Sequence, residues 1–304
     1  MKEINFDGQV AVITGSGGGL GKAYALEFAR RGAKIVVNDL GGSGDGDGAS
    51  NAPANQVAEL IKAAGGDAIA NHDSVEHGER IIESAMDTFG RVDIVINNAG
   101  ILRDCSFSKM TDDSWEQIHR VHVDGAYRVT KAAWPHLTAQ GYGRIIFTTS
   151  AAGVYGNFGQ ANYSSAKSAL LGFGRTLALE GARKNVFSNI IAPVAGSRLT
   201  ETVFSPEFVK ATSPDYVVPF VVNLCSTQSK ENGGTFEVGA GWCAKLSTLR
   251  SQGHNFGLDQ SLSAEMVAEH WDSICDFTDA EQITSLEGTL RSLSKLTGVN
   301  LLPG

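Results

Sequence analysis

Residues 10–21, VAVITGSGGGLG, decide the fold of this 304-residue chain. An apolar, β-branched run at 10–13 passes directly into a glycine-rich turn, then into an amphipathic stretch at 23–31 with Gly32 as its stop. Strand, glycine turn and helix in that order open a dinucleotide-binding unit. Gly15, Gly19 and Gly21 let the backbone turn tightly and come close to a pyrophosphate, which the free N–H groups and dipole of the helix N-terminus attract. The spacing is G-x-x-x-G-x-G rather than the commoner G-x-G-x-x-G, so the flanking strand and helix carry the assignment.

Working outward, a second strand at 34–38 ends at Asp39. An acid there binds both ribose hydroxyls of NAD and repels the 2′-phosphate of NADP. Neither Ser16 nor Leu40 is an Arg or Lys that would offset the repulsion, so NAD is the expected cofactor. Residues 41–50, GGSGDGDGAS, are too poor in apolar side chains to pack and read as a mobile insertion. Asp45 and Asp47 imitate a calcium loop, but the Glu that would complete one is absent, and no metal site is expected.

The alternation then continues: helix 53–64, strand 68–71, helix 76–89, strand 92–96, a long helix 113–138, strand 144–150, helix 161–183 and strand 185–192. Pro193 is read as breaking that last strand into a loop, 194–208, long enough and rich enough in small residues to close over a cofactor. A helix at 215–226 and a seventh strand at 235–238 follow. This α/β pattern predicts a doubly wound parallel sheet, a Rossmann fold of about seven strands with helices on both faces. Open parallel sheets bind ligands at the C-terminal ends of their strands, which is where Asp73 and Ser74 and the run Asn97 to Gly100 fall. After Trp242 the pattern changes. Residues 1–242 read as the cofactor-binding domain and 243–304 as a helical extension, with helices at 264–275 and 280–296. The second of these carries a stripe, Ile283, Leu286, Leu290, Leu293 and Leu296, which needs either this domain or a dimer partner to cover it.

Residues 150–167, SAAGVYGNFGQANYSSAK, carry the chemistry. Tyr163 and Lys167 lie four apart at the start of a helix and share one face. A free phenol titrates near pH ~10, and a fixed cation nearby lowers that value, so Tyr163 becomes able to exchange a proton with a substrate hydroxyl. Ser150, at the end of the fifth strand, can hydrogen-bond the same substrate oxygen.

Composition narrows the partners. The net charge is −8 without a basic cluster, so neither nucleic acid nor an anionic membrane surface is expected. No run approaches the ~20 apolar residues of a membrane span, and insertion is not expected. Four widely spaced cysteines form no metal array and read as reduced thiols.

Thr14-Gly-x-x-x-Gly-x-Gly21, Asp39, Asp73, Asn97-Asn-Ala-Gly100, Ser150 and Tyr163-x-x-x-Lys167, in that order over residues 7–242, resemble the short-chain dehydrogenases/reductases. The resemblance implies an NAD-dependent dehydrogenase in which Tyr163 is the acid/base, Lys167 lowers its pKa and holds the nicotinamide ribose, and Ser150 orients the substrate oxygen. It further implies cofactor contacts from Gly15, Ser16, Gly19, Leu20, Gly21 and Asp39. Asp73, Ser74, Asn98, Ala99 and Gly100 would add to them, as would Ala195, Gly196 and Ser197 at the root of the loop, with Tyr163 and Lys167. One position departs: three residues before Gly125, where the family usually has Asn, stands His122, which could relay a proton or serve structure alone. Within the family, NDLGG at 38–42, NNAGILRD at 97–104, YGNFGQANYS at 155–164, IAPVAGSRLTET at 191–202 and ENGGTFEVGAGW at 231–242 resemble the (3R)-hydroxyacyl-CoA dehydrogenase branch, and HWDSICDF at 270–277 extends the likeness. That branch implies an acyl-CoA substrate. A steroid or other secondary alcohol is the alternative, and a non-catalytic NAD-binding scaffold a remote one. A homodimer or homotetramer is implied as well. The expected compartment is the cytoplasm for a free-standing enzyme, or the peroxisomal matrix for a module of a longer chain.

Overall fold

Strand β1 (Val10–Thr14) is buried along its whole length, and the two-residue period of a strand decides where each side chain goes. Ala11 and Ile13 enter one apolar core together with Ile35, Val37, Ile94 and Ile96. Val10 and Val12 enter another, with Val36, Val95, Ile145 and Phe147. A strand enclosed on both sides belongs to a parallel sheet covered by two helical layers.

The computed structural model describes residues 3–195 and 206–302. After β1 come α1 (Gly19–Arg30), β2 (Lys34–Asn38), α2 (Ala52–Ala63), β3 (Ala68–Asn71), α3 (Gly78–Phe89), β4 (Ile94–Asn97), α4 (Asp112–His119), α5 (Gly125–Gln140), β5 (Gly143–Thr148), α6 (Ala151–Tyr155) and α7 (Ala161–Gly181). The unit closes with β6 (Val186–Val194), α8 (Pro206–Ala211), α9 (Val218–Cys225), β7 (Thr235–Gly239) and β8 (Trp242–Leu246). The strands lie in the order β3-β2-β1-β4-β5-β6-β7-β8, and the first seven pair in parallel. Buried side chains of α1, α2 and α9 fill the first core, those of α3, α5 and α7 the second.

Eight strands stand where the sequence predicts about seven. Ala240 and Gly241, at φ 50° and 76°, form a two-residue turn after β7. A turn so short returns the chain antiparallel, giving the sheet an added edge strand. Strand β6 runs on through Pro193, which pairs with Val238, rather than breaking there. The last β5 partner of β6 is Thr148, opposite Ile191. Ile190 donates to Gly234 on the β7 side and Ile191 accepts from Thr149 on the β5 side. By alternation position 193 points its missing N–H beyond the end of β5, so the proline removes no ladder bond.

Two further expectations change. The helix read as 113–138 is interrupted: α4 ends at His119, and Arg120–Asp124 form a single π turn before α5. Such turns are common at functional sites. The 41–50 insertion, read as mobile, is folded and tied down by polar bonds instead of apolar burial. Ser43 N donates to Asp47 O at 2.9 Å, Gly46 N to Ser43 O at 3.0 Å, and Leu102 N reaches Gly44 O at 2.9 Å.

The chain divides into two compact units, Met1–Lys245 and Leu246–Gly304. The second holds more than helix: β9 (Leu249–Arg250) pairs antiparallel with β10 (Glu281–Gln282), and Arg250 pairs with Glu281. Its helices are α10 (Ala264–Glu269), α11 (Trp271–Ile274) and α12 (Leu286–Thr297). Leu286, Leu293 and Leu296 of the predicted stripe are exposed in the single chain.

Candidate active site

Strand order reverses between β1 and β4, and the crevice at their C-terminal ends is where such sheets take ligands. Thr14 knits its two walls together. Its hydroxyl accepts from Asn98 N at 3.0 Å and Ala99 N at 3.1 Å, while Asn98 Nδ2 donates to Thr14 O and Gly15 O at 3.0 and 3.1 Å. Gly15 sits at φ 63°, and a Cβ there would lie 2.7 Å from Ala99 Cα. At Gly21 a Cβ would lie 2.2 Å from Gly15 O, so the turn closes only without side chains. Gly19, by contrast, faces open space at the first turn of α1, and half-buried Leu20 anchors that turn to the core below. The backbone is therefore free to meet a phosphate at the N-terminus of α1.

Ser16 differs from its expected role. It is fully buried, its N–H donates to Asn38 O, and its hydroxyl donates to Ile13 O at 2.7 Å and lies 3.3 Å from Asn38 O. Its N–H and its hydroxyl proton are both engaged in holding the turn. Asp39 has one carboxylate oxygen on Gly17 N and the other on Gly41 N, each at 2.7 Å, and among the described residues it pairs with no cation. Each oxygen keeps a lone pair for a ribose hydroxyl. Asp73 is positioned from below by Asn71 Nδ2, 2.9 Å from Asp73 Oδ2, and by Asn38 Nδ2, 2.9 Å from Asp73 O. Ser74 caps the short helical turn after it. Ala195 packs against the first core; Gly196 and Ser197 lie outside the described residues.

Ser150 ends the extended run of β5 and caps α6, its hydroxyl accepting from Ala152 N at 3.2 Å. Tyr163 and Lys167 project from the first turns of α7. Asn162, buried just before Tyr163, donates from Nδ2 to Arg103 O at 3.1 Å and accepts from Tyr163 N at 2.8 Å. Sequence reading missed both Asn162 and Arg103; the one available signal was an amide and a guanidinium inside otherwise matched motifs, and it carries no spacing rule.

Lys167 is 4% exposed and donates from Nζ to Thr148 O at 2.6 Å. Burial pushes its ammonium down to about 7. Burial also raises the Tyr163 phenol, helped by the Asp104 charge and opposed by a hydrogen bond with Ser150. The expected lowering of Tyr163 by Lys167 is therefore not present in the ligand-free chain. Desolvation disfavours charge on both partners, and the cation that would stabilise a phenolate is itself only about half charged at pH 7.

His122 lies in the π turn, edge-on to the Tyr163 ring with centroids 5.3 Å apart. Its Nε2 sits 3.1 Å from Ile101 N and 2.9 Å from Ile101 O, and burial, then the Lys167 charge, hold it well below the usual imidazole range. It is thus neutral at pH 7 and braces the loop after β4. A Cβ on Gly100 would come within 2.5 Å of Cε1, which explains that glycine. Asn97, His122, Thr148 and Lys167 help line a cavity of about 10 Å³, the room of one water-sized sphere. Asn97 Oδ1, His122 Nδ1 and Thr148 Oγ1 are buried without a protein partner.

Residues 9–205 match the short chain dehydrogenase family profile, and the chain belongs to that family. It is accordingly an oxidoreductase acting on CH–OH groups with a nicotinamide dinucleotide, NAD or NADP. The chain is 53% identical to peroxisomal multifunctional enzyme A of Dictyostelium discoideum over 99% of its own length and 67% of that protein. To the peroxisomal hydratase-dehydrogenase-epimerase of Neurospora crassa it is 52% identical over 93% of its length, but only 32% of that protein. Full-length peroxisomal multifunctional enzyme type 2 from Drosophila melanogaster superposes with a TM-score of 0.82 at 38% identity, covering 97% of this chain and 51% of that one. This chain therefore spans from about a third to about two thirds of the length of these relatives.

Proposed function

We propose that the chain oxidises the (3R)-hydroxyl of a 3-hydroxyacyl-CoA to the 3-keto thioester, using NAD. The observation that carries this reading is Lys167, fixed to Thr148 O and lining one small cavity with Thr14 at the head of the glycine turn, together with Tyr163 hydrogen-bonded to Ser150 and an Asp39 that pairs with no cation among the described residues. Gly15, Gly19 and Gly21 would seat the pyrophosphate and Asp39 the adenosine ribose. A carboxylate with no cation partner among the described residues repels a 2′-phosphate, which favours NAD over NADP. The bound nicotinamide supplies the hydride acceptor for the carbinol hydrogen.

The remaining work falls to this chain's side chains. Ser150 Oγ would hold the substrate oxygen, and Tyr163 Oη, in its ionised phenolate form, would accept the hydroxyl proton as the carbonyl forms. Lys167, fixed to Thr148 O, lies one helical turn from Tyr163 and keeps two N–H groups for the nicotinamide ribose. The acyl-CoA class is supported by the branch resemblance at 38–42, 97–104, 155–164, 191–202 and 231–242, and the dehydrogenase reaction by the name of the Neurospora relative. The relatives' names favour a peroxisomal setting over the cytoplasmic one, and family membership favours a homodimer or homotetramer.

Replacing Tyr163 with Phe tests the chemistry. Turnover of (3R)-hydroxybutyryl-CoA, read as NADH absorbance, is expected to fall by about a thousandfold or more while NAD binding persists, since a general base contributes ~10²–10⁴ and the phenol also orients the substrate. A variant that keeps a tenth of the wild-type rate rules out Tyr163 as the base. Wild-type protein that reduces NAD with a secondary alcohol or steroid, but with no (3R)-hydroxyacyl-CoA, rules out the thioester assignment.

A further inference from the structure

The 41–50 insertion hangs from the residues that would meet the adenosine end of the dinucleotide. Its root, Gly41, donates to Asp39 Oδ1, and its far end returns through Ser50 N to Leu40 O at 2.9 Å. It has almost no apolar side chains with which to hold its shape. What holds it is the loop after β4. Arg103 Nε donates to Asp45 O at 2.9 Å, one terminal nitrogen reaches Asp47 Oδ1 at 3.0 Å, and the other reaches Asp113 Oδ2 at 2.9 Å. Leu102 N adds a bond to Gly44 O. The Arg103 side chain is only 19% exposed, whereas Asp47 and Asp113 are 73% and 72% exposed. Ion pairs to such exposed acids contribute little by themselves. The planar fork matters because it ties three separate groups at once, including a main-chain carbonyl that a lysine could not reach together with the acids.

We infer that Arg103 is a positioning residue for the cofactor: it clasps the 41–50 insertion, and through Gly41 the Asp39 carboxylate, in the arrangement the adenosine half of the dinucleotide requires. Its main chain is fastened on the other side, where Arg103 O accepts from Asn162 Nδ2 next to Tyr163. One residue thereby links the nucleotide end of the crevice to the helix bearing the acid/base. Because this rests on the reading of Asp39 as the ribose ligand, the test separates the two halves of the cofactor.

Arg103→Met removes the fork while keeping the length of the aliphatic stem. The expected result is about a tenfold rise in the Kd of NAD and of AMP, measured by competition with NADH fluorescence. Binding of nicotinamide mononucleotide and kcat at saturating NAD should stay within twofold. Arg103→Lys should fall between wild type and Met. Gly46→Ala is an independent route: at φ 91° an added Cβ would press on Gln117 and Ile101, each 2.9 Å away, and lift the insertion without touching Arg103. It should weaken AMP in the same selective way, and it stands in if the Met variant does not fold. AMP affinity within twofold of wild type in both variants, or an equal loss for both fragments, overturns the inference. Should the wild-type protein instead prefer NADP, the cofactor reading fails while the clasp is still read, from the affinity of 2′-phospho-AMP.

Discussion

Lys167 shows how burial sets the working range of a side chain. With its ammonium brought from an ordinary lysine value to about 7, the native state binds fewer protons than the unfolded chain at pH values between about 7 and 10.5. Stability contributed by this group must therefore rise with pH across that window, the charged form being the one that burial penalises. Between pH 7 and pH 9 the unfolding free energy of wild type is expected to gain about 2 kcal/mol relative to Lys167→Met, at 1.36 kcal/mol per unit of differential protonation. Urea titrations of both proteins without cofactor check this; parallel pH profiles would mean that the ammonium is not desolvated. Tyr163 and Lys167 were legible in the sequence as a pair, because their spacing is local. The direction of the Tyr163 shift was not, because it depends on how much protein encloses the ring.

Among the elements, one sharp constraint lies where α3 crosses α5. Gly78 opens α3 against the α5 backbone, and a Cβ there would lie 2.3 Å from Val129 N and 2.4 Å from Arg128 C. Backbone cannot move aside as a flexible side chain can. Gly78→Ala is expected to cost about 3 kcal/mol, read as a lowered urea midpoint with an unchanged m-value. The α4-to-α5 interruption is the opposite case, an element that sequence periodicity read as continuous. Apolar positions keep nearly the same stripe through one π turn, so the pattern hides it. Its visible consequence is His122 turned inward against Ile101 and Tyr163. β8 was hidden for a related reason: an edge strand with exposed Trp242 and Cys243 lacks the buried run that marks the inner strands.

At the scale of the whole molecule, the division after Lys245 has a direct consequence. Both apolar cores draw all of their buried residues from the first unit. Residues 1–245 alone are therefore expected to unfold in one cooperative transition and to keep micromolar-range or better binding of the dinucleotide. Thermal melting followed by circular dichroism, with and without NAD, checks both. A broad, non-cooperative melt of the shortened chain would show that the second unit is needed to complete the fold. Of the stripe read from the sequence, Leu286, Leu290, Leu293 and Leu296 lie on α12, where the first and the last two are exposed in the single chain, while Ile283 falls before the helix, just after β10.

The sequence by itself determined the alternation of strands and helices, the glycine turn, and the residue types at the crevice, since each depends on neighbours within one or two turns of chain. Tertiary structure alone decided which groups became desolvated, that Ser16 turned inward, and that Arg103 met an insertion some 55 to 60 positions away. Solvent exclusion and long-range hydrogen bonds are properties of the assembled layers, and no local pattern of residues encodes them.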